Sequence, residues 1–125
     1  MKSKSYKDFC YNEKSQKEEN MDIRAYQAWV SDFYKKRNWY QYDAFIRSNF
    51  LMEEVGELAQ AIRKREIGRD RPDERQQSDA ANLENIREEL GDVLDNIFIL
   101  ADIYGISLED IASSHREKLE RRFAE

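Results

Sequence analysis

Turn-forming residues are scarce in this chain, and their scarcity limits the folds available to it. The 125 residues include only four glycines and one proline. A β-sandwich or barrel needs such residues at each of its many turns, so the composition favours helices joined by few connections. Beyond residue 21, apolar residues recur at helical spacing. The sequence therefore predicts an all-α fold.

This periodicity predicts four helices, near residues 22–36, 44–66, 83–104 and 107–123. Asp22 and Ser107 are suited to cap the first and fourth helices, because their side chains can accept a bond from the helical backbone. Gly68 and Gly105 are expected to end the second and third helices. The polar segment 68–82, which holds the only proline, is predicted to be a long loop.

Apolar stripes on the second and third helices are expected to form the core. The stripe on the second helix is Leu51, Val55, Leu58 and Ile62. The stripe on the third helix is Ile86, Leu90, Val93, Leu94, Ile97 and Ala101. Because 40% of the residues are hydrophobic and 38% are charged, one copy of the chain has a small interior. We therefore expect a four-helix, bundle-like fold completed by self-association, as a homodimer or homotetramer.

The domain organisation expected is a mobile N-terminal arm, residues 1–21, followed by one domain over residues 22–125. A net charge of −5 without a block of basic residues argues against nucleic acid as a partner. The longest apolar run, 93–106, is interrupted by polar residues and too short to cross a bilayer, so no membrane association is expected. The single cysteine, Cys10, cannot form an internal disulfide. With no signal peptide recognised, these features predict a cytoplasmic protein.

Two acidic clusters stand at corresponding places on the second and third helices, at residues 53–57 and 88–92. Residues three apart share a helix face, so Glu54 and Glu57 point the same way, as do Glu89 and Asp92. Each cluster also contains a glycine. Because glycine inside a helix costs about 1 kcal/mol relative to alanine, its presence suggests close packing or a ligand.

If these helices pair, the four carboxylates converge. Like charges about 4 Å apart repel by roughly 4 kcal/mol per pair at an effective dielectric constant near 20. Either some acids stay protonated or a cation binds. Oxygen ligands without thiolate or imidazole favour Mg²⁺, Mn²⁺ or Ca²⁺, and a di-iron centre is disfavoured because the only histidine, His115, is remote from both clusters in sequence. An ordinary solvated acidic face remains the alternative.

The acidic pattern resembles a known family. Glu53-Glu54-x-x-Glu57 followed by Glu89-x-x-Asp92 resembles the signature of the MazG-like all-α nucleotide pyrophosphohydrolases. The resemblance continues into flanking segments, at residues 33–39, 99–102 and 116–119, and covers roughly residues 22–123. It implies a four-helix protein that forms dimers or tetramers. It also implies hydrolysis of a nucleoside triphosphate to the monophosphate and pyrophosphate.

The resemblance also implies roles for individual residues. Glu54, Glu57, Glu89 and Asp92 would be ligands of Mg²⁺, for which Mn²⁺ is expected to substitute. Glu53, the catalytic residue implied, would either support the metal ligands from behind without contacting the metal or help to orient the attacking water. The substrate-binding residues implied are Trp39, which would line the base pocket, with Asn96 and Lys118, which would contact the nucleotide. The 68–82 segment is longer than the corresponding segment usually is in the family. It would therefore be an insertion or a lid.

Two other functions remain open. In the first, the chain is a non-enzymatic helical interaction module whose acids form a solvated surface and whose aromatic residues bind a protein partner. The aromatic residues concerned are Trp29, Trp39 and Tyr40. In the second, the nucleotide site is a sensor that binds without turnover. Release of pyrophosphate in the presence of Mg²⁺ distinguishes the enzyme from both.

Overall fold

The structure is a computed structural model, and it describes residues 22–69 and 71–124. Within those residues the chain forms four helices and no strand, which confirms the all-α prediction. The helices are α1 (Ile23–Lys36), α2 (Ala44–Glu66), α3 (Asp79–Ile103) and α4 (Leu108–Arg122). The predicted N-terminal arm, residues 1–21 including Cys10, lies outside the described residues. No described helix is both long and apolar enough to cross a lipid bilayer.

Each helix begins after a side chain that accepts a hydrogen bond from a backbone N–H three residues further on, which satisfies a donor that the first turn leaves free. The capping residues are Asp22, Asp43, Ser78 and Ser107. The caps predicted at Asp22 and Ser107 are therefore confirmed.

The start predicted for α3, near residue 83, is wrong by about one turn. The Ser78 side chain accepts from the N–H of Ala81 at 3.2 Å, and the helix begins at Asp79. The negative charge of Asp79 in the first turn also interacts favourably with the helix dipole. The connection between α2 and α3 is therefore 67–78, which is shorter than the loop expected.

The C-terminus of α3 has the hydrogen bonds of a Schellman motif. Gly105, with φ of 66°, donates to the carbonyl of Asp102 at 3.0 Å, and Ile106 donates to the carbonyl of Ala101 at 2.9 Å. Glycine suits this position because a side chain is strained in the left-handed region. Gly68, with φ of 97°, follows α2 in the left-handed conformation too, but donates to the carbonyl of Lys64 at 3.1 Å, the single bond of the simpler αL motif. Both predicted helix ends are confirmed.

The pair formed by α2 and α3 is the most extensive packing in the described molecule. Its helices are antiparallel, because contacts that advance along α2 recede along α3. Arg47 bonds to Asn96 near the start of α2, and Arg65 pairs with Asp79 near its end. Residues in the middle of α2 therefore face residues in the middle of α3.

The other two helices are joined to this pair through α1. Tyr26 and Ser31 of α1 donate to Asp95 and Asp102 of α3, at 2.7 and 2.9 Å, so these two helices run parallel. Gln27 of α1 bonds to the backbone around the start of α4. Beyond that contact α4 is exposed along its length, including the apolar residues Ile111, Leu119 and Phe123.

The buried core is small and lies where α1, α3 and α4 meet; it consists of Val30, Phe98, Ile99, Ala101 and Leu108. The prediction that the apolar stripes of α2 and α3 form the core is wrong for much of both stripes. Six apolar residues, five of them from those stripes, are 38–65% exposed: Met52, Val55, Ile62, Leu90, Leu94 and Ile97. The reason is that α3 is apolar around most of its circumference and one copy of the chain covers only part of it. We call these six residues the open apolar face.

Candidate metal centre and adjoining cleft

Three carboxylates converge midway along the α2–α3 pair. One oxygen from each of Glu54, Glu89 and Asp92 lies within 4.8 Å of the others. Glu54 comes from α2, whereas Glu89 and Asp92 stand three residues apart on one face of α3. We call these three residues the acidic centre. The convergence predicted from the two acidic clusters is present for them.

Burial and mutual repulsion make these carboxyl groups hard to ionise. Burial, together with the negative charges of Glu57 and Asp92, raises the pKa of Glu54 to about 7. Burial likewise raises the pKa of Glu89, with smaller contributions from Glu57 and Asp92. The pKa of Asp92 is raised by burial and then by the charge of Asp95. No ion pair within the described residues relieves this charge.

Two oxygens of the acidic centre lack a partner. Oε2 of Glu54 and Oε2 of Glu89 are buried, and neither accepts a hydrogen bond from any described residue. A buried acceptor left in this state costs about 1–3 kcal/mol, and more if it is charged. A divalent cation would satisfy both oxygens, because carboxylates are the ligands that Mg²⁺ and Mn²⁺ prefer. The residues present therefore fit a metal centre.

The remaining two acids of the α2 cluster occupy different positions. Glu57 is close enough for its charge to raise the pKa of Glu54, Glu89 and Asp92, although it is not among the residues whose oxygens lie within 4.8 Å of one another. Glu53 is exposed, one position around the helix from Glu54. The structure thus brings Glu57 to the edge of the acidic centre and leaves Glu53 outside it.

Open space adjoins the glycine of each acidic cluster. A Cβ added at Gly56 or Gly91 would meet no atom within 4 Å among those considered. Close packing within one copy of the chain therefore does not explain these glycines. The space remains available to a ligand or to a second copy.

A cleft of about 400 Å³ opens beside the acidic centre. Glu54 and Asp92 form one part of its lining, and Asn96 and Arg47 form another. The rest is aromatic: Tyr34, Trp39, Tyr42 and Phe50. The Trp39 ring is about half exposed and packs edge-on against Tyr34, with 5.7 Å between ring centroids. Such a surface can stack against a planar ring.

Asn96 is placed in this cleft but is already hydrogen-bonded. Its Nδ2 donates to the carbonyl of Asp92 at 2.9 Å, and its Oδ1 accepts from Nη1 of Arg47 at 3.2 Å. Lys118, in contrast, lines a separate cavity on α4 with His115. The structure therefore brings together Trp39, Asn96 and the acidic centre, and does not bring Lys118 to them within one copy of the chain.

Sequence reasoning missed Arg47, a buried residue that lines the cleft. Its Nη2 donates to the carbonyl of Trp39, and its centre lies 5.3–5.8 Å from the rings of Tyr34, Tyr42 and Phe50. Burial lowers the pKa of Arg47 from its usual value. One signal was available, since Arg47 precedes Glu54 by seven residues and so shares its helix face.

Asp95 is a second residue that sequence reasoning did not assign to the site. It accepts hydrogen bonds from the hydroxyls of Tyr26 at 2.7 Å and Tyr34 at 3.5 Å. Burial raises the pKa of Asp95, and the two hydrogen bonds oppose that rise. The charge of Asp95 also raises the pKa of Asp92. Asp95 therefore interacts both with the tyrosines of α1 and with the acidic centre.

Comparisons with known proteins show which family and which fold the chain is similar to. Residues 47–124 match the MazG nucleotide pyrophosphohydrolase domain. The chain is 54% identical over 103 residues to "Uncharacterized protein YvdC" of Bacillus subtilis (strain 168), across 82% of this chain and 97% of that protein. Its fold is similar to the crystal structure of the "putative pyrophosphatase YPJD" of Bacillus subtilis. That comparison has a TM-score of 0.61 and 23% identity, and covers 85% of this chain and 97% of the other.

The four helices and the carboxylates between them define an all-α protein of the nucleotide pyrophosphohydrolase class. The chain belongs to the MazG family, whose domain matches more than half of its length. The matched range contains the acidic centre and Arg47, whereas Trp39 precedes it. The resemblance inferred from the acidic motifs is therefore confirmed.

Proposed function

We propose that this protein hydrolyses a nucleoside triphosphate to the nucleoside monophosphate and pyrophosphate, and that the reaction requires Mg²⁺. One observation carries the proposal: three carboxylates with two unpartnered buried oxygens stand at the side of an aromatic cleft. The centre suits a cation that neutralises phosphates, and the cleft suits a nucleobase. Membership of the MazG family supports the same reaction.

Glu54, Glu89 and Asp92 would hold the cation, with Glu57 as the fourth ligand. Bound there, Mg²⁺ or Mn²⁺ would neutralise phosphate oxygens and lower the pKa of a coordinated water. Without such a cation the carboxylates would repel a triphosphate, which carries about four negative charges. The acids alone therefore cannot form the binding site.

The remaining roles are proposed for Trp39, Asn96, Glu53 and Lys118. Trp39 would stack on the base, and Asn96 would contact the nucleoside through its remaining N–H. Glu53, which is exposed and lies outside the acidic centre in one copy of the chain, would help to orient the attacking water, and hydrolysis would break the α–β phosphoanhydride and release pyrophosphate. Lys118 would contact the phosphates, and because it lies on α4 away from the cleft, it would have to do so in an assembly of several copies.

The open apolar face supports self-association. Its six residues lie on α2 and α3, the two helices that carry the acidic centre, and monomeric proteins rarely expose a large contiguous apolar surface. A second copy of the chain is the occupant we propose, in a homodimer or homotetramer. The space beside Gly56 and Gly91 would then be available to the second copy.

Measuring pyrophosphate release from the common ribo- and deoxyribonucleoside triphosphates tests the proposal. We expect release from at least one of them with Mg²⁺ or Mn²⁺, and none with EDTA. Nucleotide binding without release under any of these conditions would favour the sensor. Absence of both binding and release would favour the helical interaction module.

A further inference from the structure

Arg47 is a buried cation without a carboxylate partner among the described residues. The residue is 4% exposed, and no ion pair between described residues includes it. Its surroundings are the rings of Tyr34, Tyr42 and Phe50, the Asn96 amide and the Trp39 carbonyl. Burying a guanidinium in this way is unfavourable unless its donors find acceptors.

The hydrogen bonds of Arg47 leave most of its donors unused. A guanidinium has five N–H donors and no acceptor. One donor is used by Oδ1 of Asn96 and one by the carbonyl of Trp39. Nε has no partner anywhere in the described chain. Nε is itself screened from solvent, so the donors left for a ligand in the cleft that Arg47 lines are the two remaining N–H groups on Nη1 and Nη2.

Asn96, the second buried polar side chain of the cleft, also has only a donor left for a ligand. Oδ1 of Asn96 is occupied by Arg47, and Nδ2 uses one hydrogen on the carbonyl of Asp92, so one N–H is left. Apart from the carboxylates proposed to hold the cation, the buried polar side chains of the cleft consequently offer N–H groups to a ligand. A carbonyl oxygen would satisfy these donors, whereas an amino group in the same place would leave them unpaired.

We propose that Arg47 makes the cleft selective for nucleobases with a carbonyl at C4 of a pyrimidine or at C6 of a purine, an inference that rests on the proposed function. Uracil and thymine carry an oxygen where cytosine carries an amine, and guanine carries an oxygen where adenine carries an amine. Each comparison holds the ring size constant, so stacking on Trp39 changes little. Arg47 thus recognises the keto bases uracil, thymine and guanine and disfavours cytosine and adenine.

The experiment compares kcat/KM within two pairs of substrates, dUTP with dCTP and dGTP with dATP, in the presence of Mg²⁺. We expect the wild type to prefer the keto member by about tenfold or more, as hydrogen-bond readout of a base allows. Arg47→Met retains a long side chain without donors, and should bring both ratios close to one. Arg47→Lys, which keeps a positive donor without the planar fork, should give intermediate ratios.

The control is Arg87→Met, the same substitution at an exposed arginine of α3 that pairs with Glu84, and it should keep the wild-type ratios. If Arg47 serves only to position Trp39 against α3, Arg47→Met would lower kcat/KM equally for all four substrates and leave the two ratios unchanged. That result would overturn the inference, as would equal values for the keto and amino substrates in the wild type.

Binding of UMP and CMP to the wild type, followed by tryptophan fluorescence, requires neither turnover nor a folded variant. Tighter binding of UMP supports the inference even if no triphosphate is hydrolysed, in which case only the proposed function fails. Equal binding of the two monophosphates overturns the inference even if hydrolysis occurs.

Discussion

Glu54 is the carboxyl group of the acidic centre whose pKa is raised furthest into the neutral range, and its position explains why. It stands between Glu57 of its own helix and Asp92 of the facing one, and its Oε2 is buried without a donor. A bound proton or cation would reduce the repulsion between these carboxylates and give the buried oxygen a partner. The same carboxyl group is therefore a sensitive reporter of both metal binding and pH.

Replacing a proposed ligand by its amide removes a charge and keeps the size of the side chain. We expect Glu54→Gln, Glu89→Gln and Asp92→Asn each to lower kcat/KM by about a hundredfold or more, since even residues outside the coordination sphere typically contribute 10–100-fold. Glu57→Gln should also remove most activity, and Glu53→Gln should cost less. Steady-state assays of pyrophosphate release give these values.

Glu66→Gln is the matched control for these substitutions. Glu66 ends α2, is exposed and pairs with its neighbour Arg65, so its charge does not reach the acidic centre. We expect wild-type activity from this variant. A loss as large as that of Glu57→Gln would mean that the assignment of the site is wrong.

The raised pKa of Glu54 makes the stability of the metal-free protein depend on pH. Below about pH 4.5, its ordinary pKa, the carboxyl group is protonated in both states and adds no repulsion. Between 4.5 and about 7 the unfolded chain loses this proton first, so the free energy of unfolding falls as pH rises. Urea unfolding in EDTA should therefore show greater stability at pH 5 than at pH 7.5, with a smaller difference in Glu54→Gln.

Adding Mg²⁺ supplies the control for this pH dependence. A cation that binds the folded protein alone stabilises it by about 2.7 kcal/mol at a hundredfold excess over its Kd. The gain should appear at pH 7.5 and shrink toward pH 5, where protons compete for the ligands. Equal unfolding curves with EDTA and with Mg²⁺ at pH 7.5 would show that the acids are an ordinary solvated face.

The acids of the site could be predicted from the sequence, whereas spacing places Arg47 only on the helix face of Glu54 and gives no role to Arg47 or Asp95. Glu54, Glu89 and Asp92 form a local pattern, because spacing alone places Glu89 and Asp92 on one helix face. The roles of Arg47 and Asp95 depend on partners 49 and 69 residues away, Asn96 and Tyr26. Such contacts follow from tertiary packing, which helical spacing does not determine.

A carboxylate of α3, that of Asp102, helps to hold the connection between α1 and α2 in place. Oδ2 of Asp102 accepts from the hydroxyl of Tyr40 at 2.5 Å and from the hydroxyl of Ser31 at 2.9 Å. Tyr40 belongs to the same connection as Trp39, so this bond helps to position one wall of the cleft. A stable cleft therefore requires α1, α3 and the connection together.

Tyr40→Phe tests this attachment by removing one hydroxyl. We expect a loss of about 1.5 kcal/mol in the free energy of unfolding, because the bond is made to a charged acceptor. Urea unfolding measures the loss. Tyr104→Phe, at a tyrosine that is 65% exposed, should leave the stability unchanged. Similar losses in the two variants would contradict the proposed role of Asp102.

Helix ends could be predicted where a capping residue or a glycine marks them in the sequence, as at Asp22, Ser107 and Gly105. The start of α3 was missed because residues 79–82, Asp-Ala-Ala-Asn, contain no large apolar side chain and give no periodic signal. The extent of the core was missed for another reason. Periodicity identifies an apolar face, such as that containing Leu90 and Leu94, but does not identify what covers it.

Association of several copies is the expectation that follows from the open apolar face. Burying these side chains would contribute about 25 cal/mol for each Å² of apolar surface removed from water. We expect sedimentation at tens of micromolar protein to show a dimer or tetramer, and Leu94→Glu to shift it toward monomer. A wild type that sediments as a monomer would refute the proposal.

Ala81→Glu is the control for the added charge. Ala81 is also an exposed residue of α3. It lies 13 residues before Leu94, which places it about 220° around the helix from the open apolar face. We expect this variant to retain the wild-type assembly. If both variants dissociated, the assembly would depend on the charge of α3 rather than on the open apolar face.

The way the four helices are joined also has a kinetic consequence. The α2–α3 pair closes over the short segment 67–78, whereas the contact of α1 with α4, as between Arg24 and Glu109, spans 85 residues. Closing a longer loop costs more entropy, so we expect the α2–α3 hairpin to form early in folding and the contact with α4 to form late.

Native-state hydrogen exchange should accordingly show α4 opening at a lower free energy than α2 and α3. Exchange of all helices through a single global opening would contradict this order. The acidic centre, carried wholly by α2 and α3, would then persist in partly unfolded forms that have already released α4.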